Sequence, residues 1–419
     1  MKIWLTVLLF LKRVAKAILP RSLYDWLRRA YHNNFVSRAQ GGGDKHAGPD
    51  GPDLPFGVNL FAYYTNNSAG SETRLLMSAL EAGNIPYQCI DLNSPEKFNA
   101  RIGSWRGYKV NLIICHAASG TPERMKLFAI DLKQYYNIGY WAWELPVLPD
   151  EYCAGLDLFQ EMWTMSGFCT TALEKKTLAP VLTVPLCANP DRTVIPNSRE
   201  HFGFKKEPFL FMFAYDCASF VSRKNPQAVV EAFMKAFSPE DEHVGLILKL
   251  ISPERDREQL KALQETLSPY KNIYYIDRFL PDEEMRSLIQ ASDAFVSLHR
   301  SEGFGLLPLE AMSLGTPVIS TAWSGNMEYM THMNTALVDY TMVPVNGEYV
   351  GSAPGDGIVW AEADTDCAAG YMRRLVSDSA WREKLVAGGK HTADEFCTKD
   401  VVGKIMRDRL DFLVQARAI

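Results

Sequence analysis

The chain lacks several features that would assign it to a simple class. Its 44 Lys and Arg residues are outnumbered by 49 Asp and Glu residues, which gives a formal net charge of -5. No overall basic surface is therefore expected, and this argues against a nucleic-acid-binding protein. The eight cysteines form no Cys-x-x-Cys pair. Their pattern predicts no zinc site and favours a reducing compartment.

A long apolar run is also missing. Residues 3–11 are mostly apolar, but Lys12, Arg13 and Lys16 follow at once. A helix of that length extends roughly 14 Å, against about 30 Å of hydrocarbon, so it is too short to span a bilayer. No small-residue cleavage site follows, as a secretory signal would need. The mixed pattern predicts an amphipathic segment at 1–39 that lies on an anionic membrane surface.

Two alternatives remain open for this segment. One is a helix packed on the protein's own surface, which the apolar stripe would equally suit, and the other is a poorly chosen start codon. On the membrane interpretation, residues 1–30 make the contact. The protein would then be cytoplasmic and peripheral on the inner face of the membrane.

The rest of the chain divides by composition. Residues 40–55 are rich in Gly, Pro and Asp, which predicts a flexible linker. From residue 56 onwards strand-like and helix-like runs alternate, which predicts α/β layers with parallel sheets. Ligands of such sheets bind outside the carboxyl ends of the strands. We expect a first Rossmann-like domain, a connector, a second Rossmann-like domain and a C-terminal helical segment at 56–190, 191–208, 209–390 and 391–419.

The most informative motif lies between a strand-like run and a Gly-Thr-Pro helix stop. The order strand, glycine-containing turn, helix builds an anion site, because helix N-terminal amides bind negative groups. Gly303 and Gly305 let the backbone approach a ligand closely. Glu302 in the turn and Glu310 in the helix can face the same ligand, where carboxylates accept hydrogen bonds from hydroxyls. Phosphates between two sets of hydroxyls describe a nucleotide-sugar; the alternative is two solvated glutamates.

This block closely resembles the C-terminal half of retaining GT-B glycosyltransferases, in the large family with a Glu-x7-Glu motif (glycosyltransferase family 4, group 1 glycosyl transferases). The resemblance implies two Rossmann-like domains that face each other across a cleft, with the acceptor on the side of the first. It implies that Glu302 contacts the donor sugar and Glu310 the ribose. The amides of Phe304, Gly305 and Leu306 would meet the diphosphate. A terminal helix crossing back to the first domain is expected by the same analogy.

A basic pair follows an earlier strand. Arg223 and Lys224 come just before a predicted helix, where two positive charges would meet a diphosphate. The alternative is a solvated pair. In the family a lysine of this loop binds the donor phosphates, but the commonest form has an arginine where Ser219 stands. Arg223 is therefore assigned in its place, and Lys249, at the end of the next strand, is a third candidate.

Four further positions follow from the resemblance. Phe279 and Leu280 would contact the nucleobase, although the segment also suits an ordinary loop before a helix. His116 ends an apolar strand and would orient the donor sugar, unless it is a satisfied structural histidine. Gly70 lies between the first strand and its helix and would sit under the diphosphate.

An aromatic run supplies weaker acceptor candidates. Trp143 and Glu144 suit sugar stacking and hydroxyl binding, but the tryptophan equally suits a core. A subset of these transferases has a similar run, and also segments similar to Trp163–Ser166 and Trp360–Glu362. Asp364-Thr365-Asp366 has a metal-binding shape but starts a predicted helix, where such residues cap. We therefore predict no metal and no cofactor.

The predicted function is retaining transfer of a hexose from a nucleotide-diphosphate sugar to a hydroxyl. The acceptor would be a lipid-linked or polysaccharide intermediate of surface glycan synthesis. Three alternatives remain: a nucleotide-sugar epimerase of the same fold, a phosphorylase-like enzyme, and a non-catalytic scaffold. The phosphorylase would need a pyridoxal lysine site and a far longer chain.

Overall fold

The computed structural model describes residues 54–65, 68–116, 121–217, 219–255, 257–345, 349 and 357–419. The predicted membrane segment 1–39 and most of the predicted linker 40–55 lie outside this range. The chain forms two compact units. The first runs to Pro185 and also includes Val402–Ile419, and the second is Leu186–Val401.

The first unit is built on a six-stranded sheet in which all neighbouring strands are parallel. The strands are Val58–Ala62 (β1), Tyr87–Asp91 (β2), Val110–His116 (β3), Tyr136–Ala142 (β4), Glu161–Thr164 (β5) and Val181–Thr183 (β6). Their spatial order is β2-β1-β3-β4-β5-β6. The helices of this part of the chain are Ser68–Ala82, Pro95–Asn99, Thr121–Met125 and Gly167–Glu174, with 3-10 turns at Leu132–Gln134 and Asp150–Leu158.

A ladder of amide side chains crosses four of these strands. Asn59 donates to Asn111 at 2.8 Å, and Asn111 donates to Asn137 at 2.8 Å. Gln88 of the outer strand donates to Asn59 at the same distance. A slip of one residue would leave buried amides without partners, so the ladder fixes the strand register.

The C-terminal helix Lys399–Gln415 packs on the first sheet. A Cβ at Gly403 would lie 2.4 Å from the carbonyl oxygen of Ala79, so only glycine allows this approach. Further along, Arg409 forms a forked ion pair with Glu161, which is fully buried. The indole of Trp163 also donates to Glu161, at 2.6 Å. These donors satisfy the buried carboxylate, and its ion pair with Arg409 anchors the helix to the sheet.

The second unit contains another six-stranded parallel sheet and an antiparallel hairpin. The strands of the sheet are Phe209–Asp216 (β7), Val244–Ile251 (β8), Ile273–Ile276 (β9), Ala294–Ser297 (β10), Val318–Thr321 (β11) and Ala336–Val338 (β12), in the spatial order β12-β11-β10-β7-β8-β9. Tyr340–Pro344 (β13) and Val359–Ala363 (β14) form the hairpin.

The helices of the second unit flank this sheet. They are Ser198–His201, Val221–Lys224, Pro226–Ala236, Arg257–Leu267, Asp282–Ala291, Leu306–Ser313, Thr365–Ser377 and Ser379–His391, followed by a π-helical turn at Thr392–Phe396. Two 3-10 turns lie at Pro253–Arg255 and Gly325–Glu328. The core of the unit is formed by side chains of the central strands and of helix Pro226–Ala236, including Phe211 and Phe233.

The segment 191–208, predicted as a connector, packs within the second unit. Arg286 donates to Asp191 at 2.8 Å, and Ser287 accepts from the amide of Ile195 at 2.8 Å. Arg199 forms an ion pair with Asp293, just before β10. The segment is therefore held by side chains on helix Asp282–Ala291 and the start of β10.

Candidate functional site

The turn after β10 closes around positions that require glycine. Gly305 has φ +86°, a left-handed conformation that suits glycine, and helix Leu306–Ser313 begins directly after it. A Cβ at Gly325 would lie 1.9 Å from the carbonyl oxygen of Gly303. The amide of Glu302 donates to Ser324 Oγ at 2.8 Å. The two loops are therefore in close contact at the N-terminus of the helix, where the first amides have no partner within the helix itself.

Glu302 is held between two cations. Its Oε1 lies 2.5 Å from Lys224 Nζ, and its Oε2 lies 3.0 Å from an Arg223 guanidinium nitrogen. The side chains are 13% (Glu302), 3% (Arg223) and 22% (Lys224) exposed. Burial alone would raise the pKa of Glu302, but the charges of Lys224 and Arg223 outweigh it and lower the pKa to about 2. The structure therefore brings three of the predicted residues into one charged cluster.

Arg223 is fixed by several acceptors. Its guanidinium also donates to the Ser301 carbonyl at 2.9 Å and to Ser219 Oγ at 2.8 Å. Ser219 stands where the sequence resemblance led us to expect an arginine, and its hydroxyl accepts from Arg223 and orients it. Phe220, between them, has φ +52°, a strained conformation for a bulky residue that costs about 1–3 kcal/mol. Strain of this kind clusters at functional sites.

His299 was not predicted, yet it lies under the charged cluster. Its ring is fully buried, and Nε2 is 3.5 Å from Ser320 Oγ. Burial lowers the pKa of His299 to about 4, with the charge of Glu302 acting in the opposite direction. The imidazole is therefore neutral at physiological pH. The sequence feature that could have identified His299 is its position two residues after the end of strand β10.

Glu310 lies in helix Leu306–Ser313 in a different environment. Burial raises the pKa of its carboxyl to about 7, although a hydrogen bond with Asn189 and the charge of Arg286 act to lower it. Neither Asn189 nor Arg286 was predicted. Because this pKa is near neutrality, Glu310 is partly protonated in the ligand-free protein.

Lys249 is buried beneath the candidate base-binding loop. The residue is 1% exposed, and its ammonium donates to the carbonyls of Leu250 at 2.5 Å and Arg278 at 3.0 Å. Burial and the nearby Arg278 lower the pKa of Lys249 to about 8. Its ammonium thus supports the loop that contains Phe279, which is 64% exposed, and Leu280, which is buried. In this arrangement Lys249 binds main-chain carbonyls at the position where we predicted a phosphate contact.

The remaining predicted residues belong to the first unit. His116 ends β3 beside Ala142 of β4, and its side chain lies outside the described part of the structure. Gly70 lies in helix Ser68–Ala82, where a Cβ would be 1.7 Å from the Thr65 carbonyl oxygen. The prediction that Trp143 lies at the acceptor site does not fit the structure, because this side chain is fully buried.

Trp143 is a core residue. Its indole N–H donates to the Val147 carbonyl at 2.9 Å, and its ring centroid lies 5.5 Å from that of Tyr152. It therefore cannot stack on a sugar as predicted. Glu144, directly after it, is half-buried.

The described residues contain no group of three His, Cys, Asp or Glu side chains that could hold a metal ion. Asp364 caps helix Thr365–Ser377 by accepting from the amides of Asp366 and Cys367. That no metal or cofactor is needed stays a prediction. Within the same described residues, no helix is both long and apolar enough to cross a membrane.

Residues 194–392 match the family described as "Glycosyl transferases group 1". The match covers most of the second unit, including the whole Glu302 cluster. An uncharacterized glycosyltransferase of Methanocaldococcus jannaschii is 26% identical over 185 residues, which cover 44% of this chain and 42% of that protein. O-antigen chain mannosyltransferase B of Escherichia coli is 31% identical over 128 residues, covering 30% of this chain and 28% of that protein. The chain thus spans less than half the length of these relatives.

The architecture is the GT-B fold. Anabaena Alr3699/HepE, crystallised in complex with UDP and glucose, superposes with a TM-score of 0.61 at 13% identity, covering 85% of this chain and 100% of that one. At this identity the likeness establishes the fold alone. It confirms the prediction of two Rossmann-like domains with parallel sheets.

Proposed function

We propose that this protein is a retaining glycosyltransferase that moves a hexose from a nucleotide-diphosphate sugar to a hydroxyl acceptor. The observation that supports this most is Glu302 held by Lys224 at 2.5 Å and Arg223 at 3.0 Å, next to the N-terminus of helix Leu306–Ser313. A carboxylate for hydroxyls and two cations for phosphates lie side by side there. The match of residues 194–392 to the glycosyltransferase family supports the same conclusion.

The donor binds along this part of the second unit. Its diphosphate takes hydrogen bonds from Lys224, Arg223 and the amides of residues 304–306, and the helix dipole favours its negative charge. Glu302 accepts from the sugar hydroxyls and Glu310 from the ribose. The exposed ring of Phe279 contacts the base. A donor with UDP is the first to test, because the HepE structure contains UDP and glucose.

The reaction breaks the bond between the sugar C1 and the leaving phosphate oxygen, which keeps the electron pair. Lys224, Arg223 and the helix N-terminus stabilise the negative charge that develops on the diphosphate. The acceptor oxygen bonds to C1 on the same face of the sugar, which retains the anomeric configuration. Its proton passes to the departing phosphate oxygen, so charge and atoms balance without a covalent enzyme intermediate.

The acceptor is a lipid-linked or polysaccharide intermediate of surface glycan synthesis, reached from the cytoplasmic face of the membrane. The O-antigen mannosyltransferase relative supports this class of acceptor. Residues 1–30 hold the protein at the membrane surface. Deleting residues 1–39 should abolish binding to anionic vesicles and leave donor hydrolysis unchanged. Unchanged vesicle binding, or aggregation of the truncated protein, would contradict this role.

The activity is tested by incubating the purified protein with a panel of nucleotide-sugars, with and without hydroxyl acceptors. Mass spectrometry should detect a free nucleoside diphosphate and a hexosylated acceptor, and NMR should find retained anomeric configuration. Glu302→Gln is the inactive control, and Glu283→Gln, a charge removal on another helix, should remain active. An epimer formed from donor alone would identify an epimerase. Nucleotide binding without turnover of any donor would indicate a scaffold.

A further inference from the structure

A second set of charged contacts lies behind Arg223 and Lys224. Arg300 Nε is 2.6 Å from Glu362 Oε2, and Asn225 Nδ2 donates to Glu362 Oε1 at 2.9 Å. Glu362 belongs to hairpin strand β14, while Arg300 and Asn225 belong to two different loops. A single carboxylate therefore connects three segments of the second unit that are far apart in the chain.

Both loops lead directly to the candidate site. Arg300 donates through its side chain to the Ser222 carbonyl at 2.9 Å and through its amide to the Arg223 carbonyl at 2.8 Å. Glu302 lies two residues after Arg300, and Lys224 directly precedes Asn225. The position of Lys224 relative to Glu302 is thus set by backbone segments that Arg300 and Glu362 hold together.

Asn225 and Arg300 are each held by further contacts. Asn225 has φ +57° and is 2% exposed, and its side chain also caps helix Pro226–Ala236. Arg300 lies 5.4 Å above the ring centroid of Trp360, which is fully buried and fixes the hairpin strand. The planar guanidinium of Arg300 needs acceptors in fixed directions, and the Glu362 carboxylate and the Ser222 carbonyl supply them.

We propose that Glu362 is a positioning residue, which acts through Arg300 and Asn225 to hold Arg223 and Lys224 in register with Glu302. This inference rests on the proposed function, in which those cations bind the donor diphosphate. Glu362 itself touches no substrate. Without its charge, Arg300 can shift, and the carbonyls of Ser222 and Arg223 can shift with it.

The test is a double-mutant cycle between Glu362→Gln and Lys224→Ala. Glu362→Gln keeps an oxygen for Asn225 but removes the charge that Arg300 binds. It should lower transfer and pyrophosphate affinity roughly tenfold, the order expected for one lost charge-assisted hydrogen bond. In the Lys224→Ala background the same change should have a clearly smaller further effect, because Arg223 is then the only one of the two cations left for it to position. Thermal unfolding of each variant is measured alongside.

Matched controls separate positioning from general loss of structure. Asp366→Asn removes an ion pair with Lys235, 3.0 Å long, elsewhere in the same unit, and should leave transfer and pyrophosphate binding unchanged. If Glu362→Gln does not fold, Arg300→Lys replaces it in the cycle, since it keeps the charge but loses the fork. Pyrophosphate binding keeps the test independent of turnover, so failure of the proposed activity and failure of this inference are distinguishable. Equal effects in both backgrounds, or no pyrophosphate binding by the wild type, would overturn the proposal.

Discussion

Glu302 and Glu310 flank the start of one helix, yet their carboxyl groups differ in charge state. Both are largely shielded from water, but the pKa of Glu302 is lowered to about 2 and that of Glu310 is raised to about 7. The difference lies in the cations. Lys224 and Arg223 both contact Glu302 directly, whereas Arg286, near Glu310, donates to Asp191 and Thr193. Motif spacing alone does not determine what each carboxylate does.

The two environments suit different tasks. Glu302 is always ionised at physiological pH and neutralises the cations that would bind the diphosphate. A donor must therefore compete with Glu302 for Lys224. Glu310 titrates near neutrality, so a ligand that donates hydrogen bonds to it also displaces a proton. The predictions below test this contrast.

The largest expected effect is loss of transfer in Glu302→Gln. The amide cannot replace the charge opposite Lys224 or accept sugar hydroxyls equally well, so turnover should fall on the order of a hundredfold or more. Affinity for the free nucleoside diphosphate should stay within a few-fold or increase, because the cations lose their internal competitor. Calorimetry measures that affinity beside the turnover assay. A large loss of nucleotide binding would remove the contrast with Glu310.

Glu310→Ala should act on binding instead. It removes the proposed acceptor for the ribose hydroxyls, and each lost charged hydrogen bond is worth about 1.5–3 kcal/mol. Nucleoside diphosphate affinity should therefore fall roughly tenfold to a hundredfold. A nucleoside, which has ribose but no phosphate, is the informative competitor of the nucleoside diphosphate, since its binding should be lost as well. Equal effects of both glutamate variants on free-nucleotide affinity would refute the division of tasks.

The difference between the two glutamates also predicts how ligand affinity depends on pH. Hydroxyl donors favour the ionised form of Glu310, so affinity for a nucleotide-sugar should rise as pH increases through about 7 and then level off. Glu310→Gln should remove this dependence. A nucleotide-sugar is the right probe, because its diphosphate does not titrate in this range. A pH-independent wild-type affinity would mean that Glu310 does not contact the ligand.

The free energy of unfolding of the ligand-free protein should fall as pH rises, whereas the affinity for a nucleotide-sugar should rise. The folded pKa of Glu310 is above its unfolded value, so the contribution of this group is fully present below the unfolded pKa of 4.5 and is lost as pH rises through about 7. Glu310→Gln should therefore gain in melting temperature relative to the wild type between pH 5 and pH 8. Parallel melting curves at all pH values would show that the carboxyl is solvated.

The sequence predicted the sheets better than the contacts of the site. Buried parallel strands are continuous apolar runs, so strands such as Val110–His116 were found from local pattern. The pairing of Lys224 with Glu302 joins residues 78 positions apart, which no local pattern specifies. Hairpin β13–β14 does not follow from the same signal, because strand Tyr340–Pro344 is largely exposed and has no continuous apolar run. Trp143 was misjudged because an aromatic run at a strand end looks the same whether it lines a site or fills a core.

The smallest expected effect comes from Asn189→Ala. The side chain of Asn189 hydrogen-bonds the Glu310 carboxyl and lowers its pKa, while burial raises it. Removing the amide should raise the pKa of Glu310 further, so the rise in nucleotide-sugar affinity should occur at higher pH than in the wild type. Affinity at high pH should be nearly unchanged, because the carboxylate itself remains. Asn197→Ala, on the same segment but without this contact, is the control. An equal loss of affinity at every pH would mean that Asn189 contacts the ligand directly and does not act through Glu310.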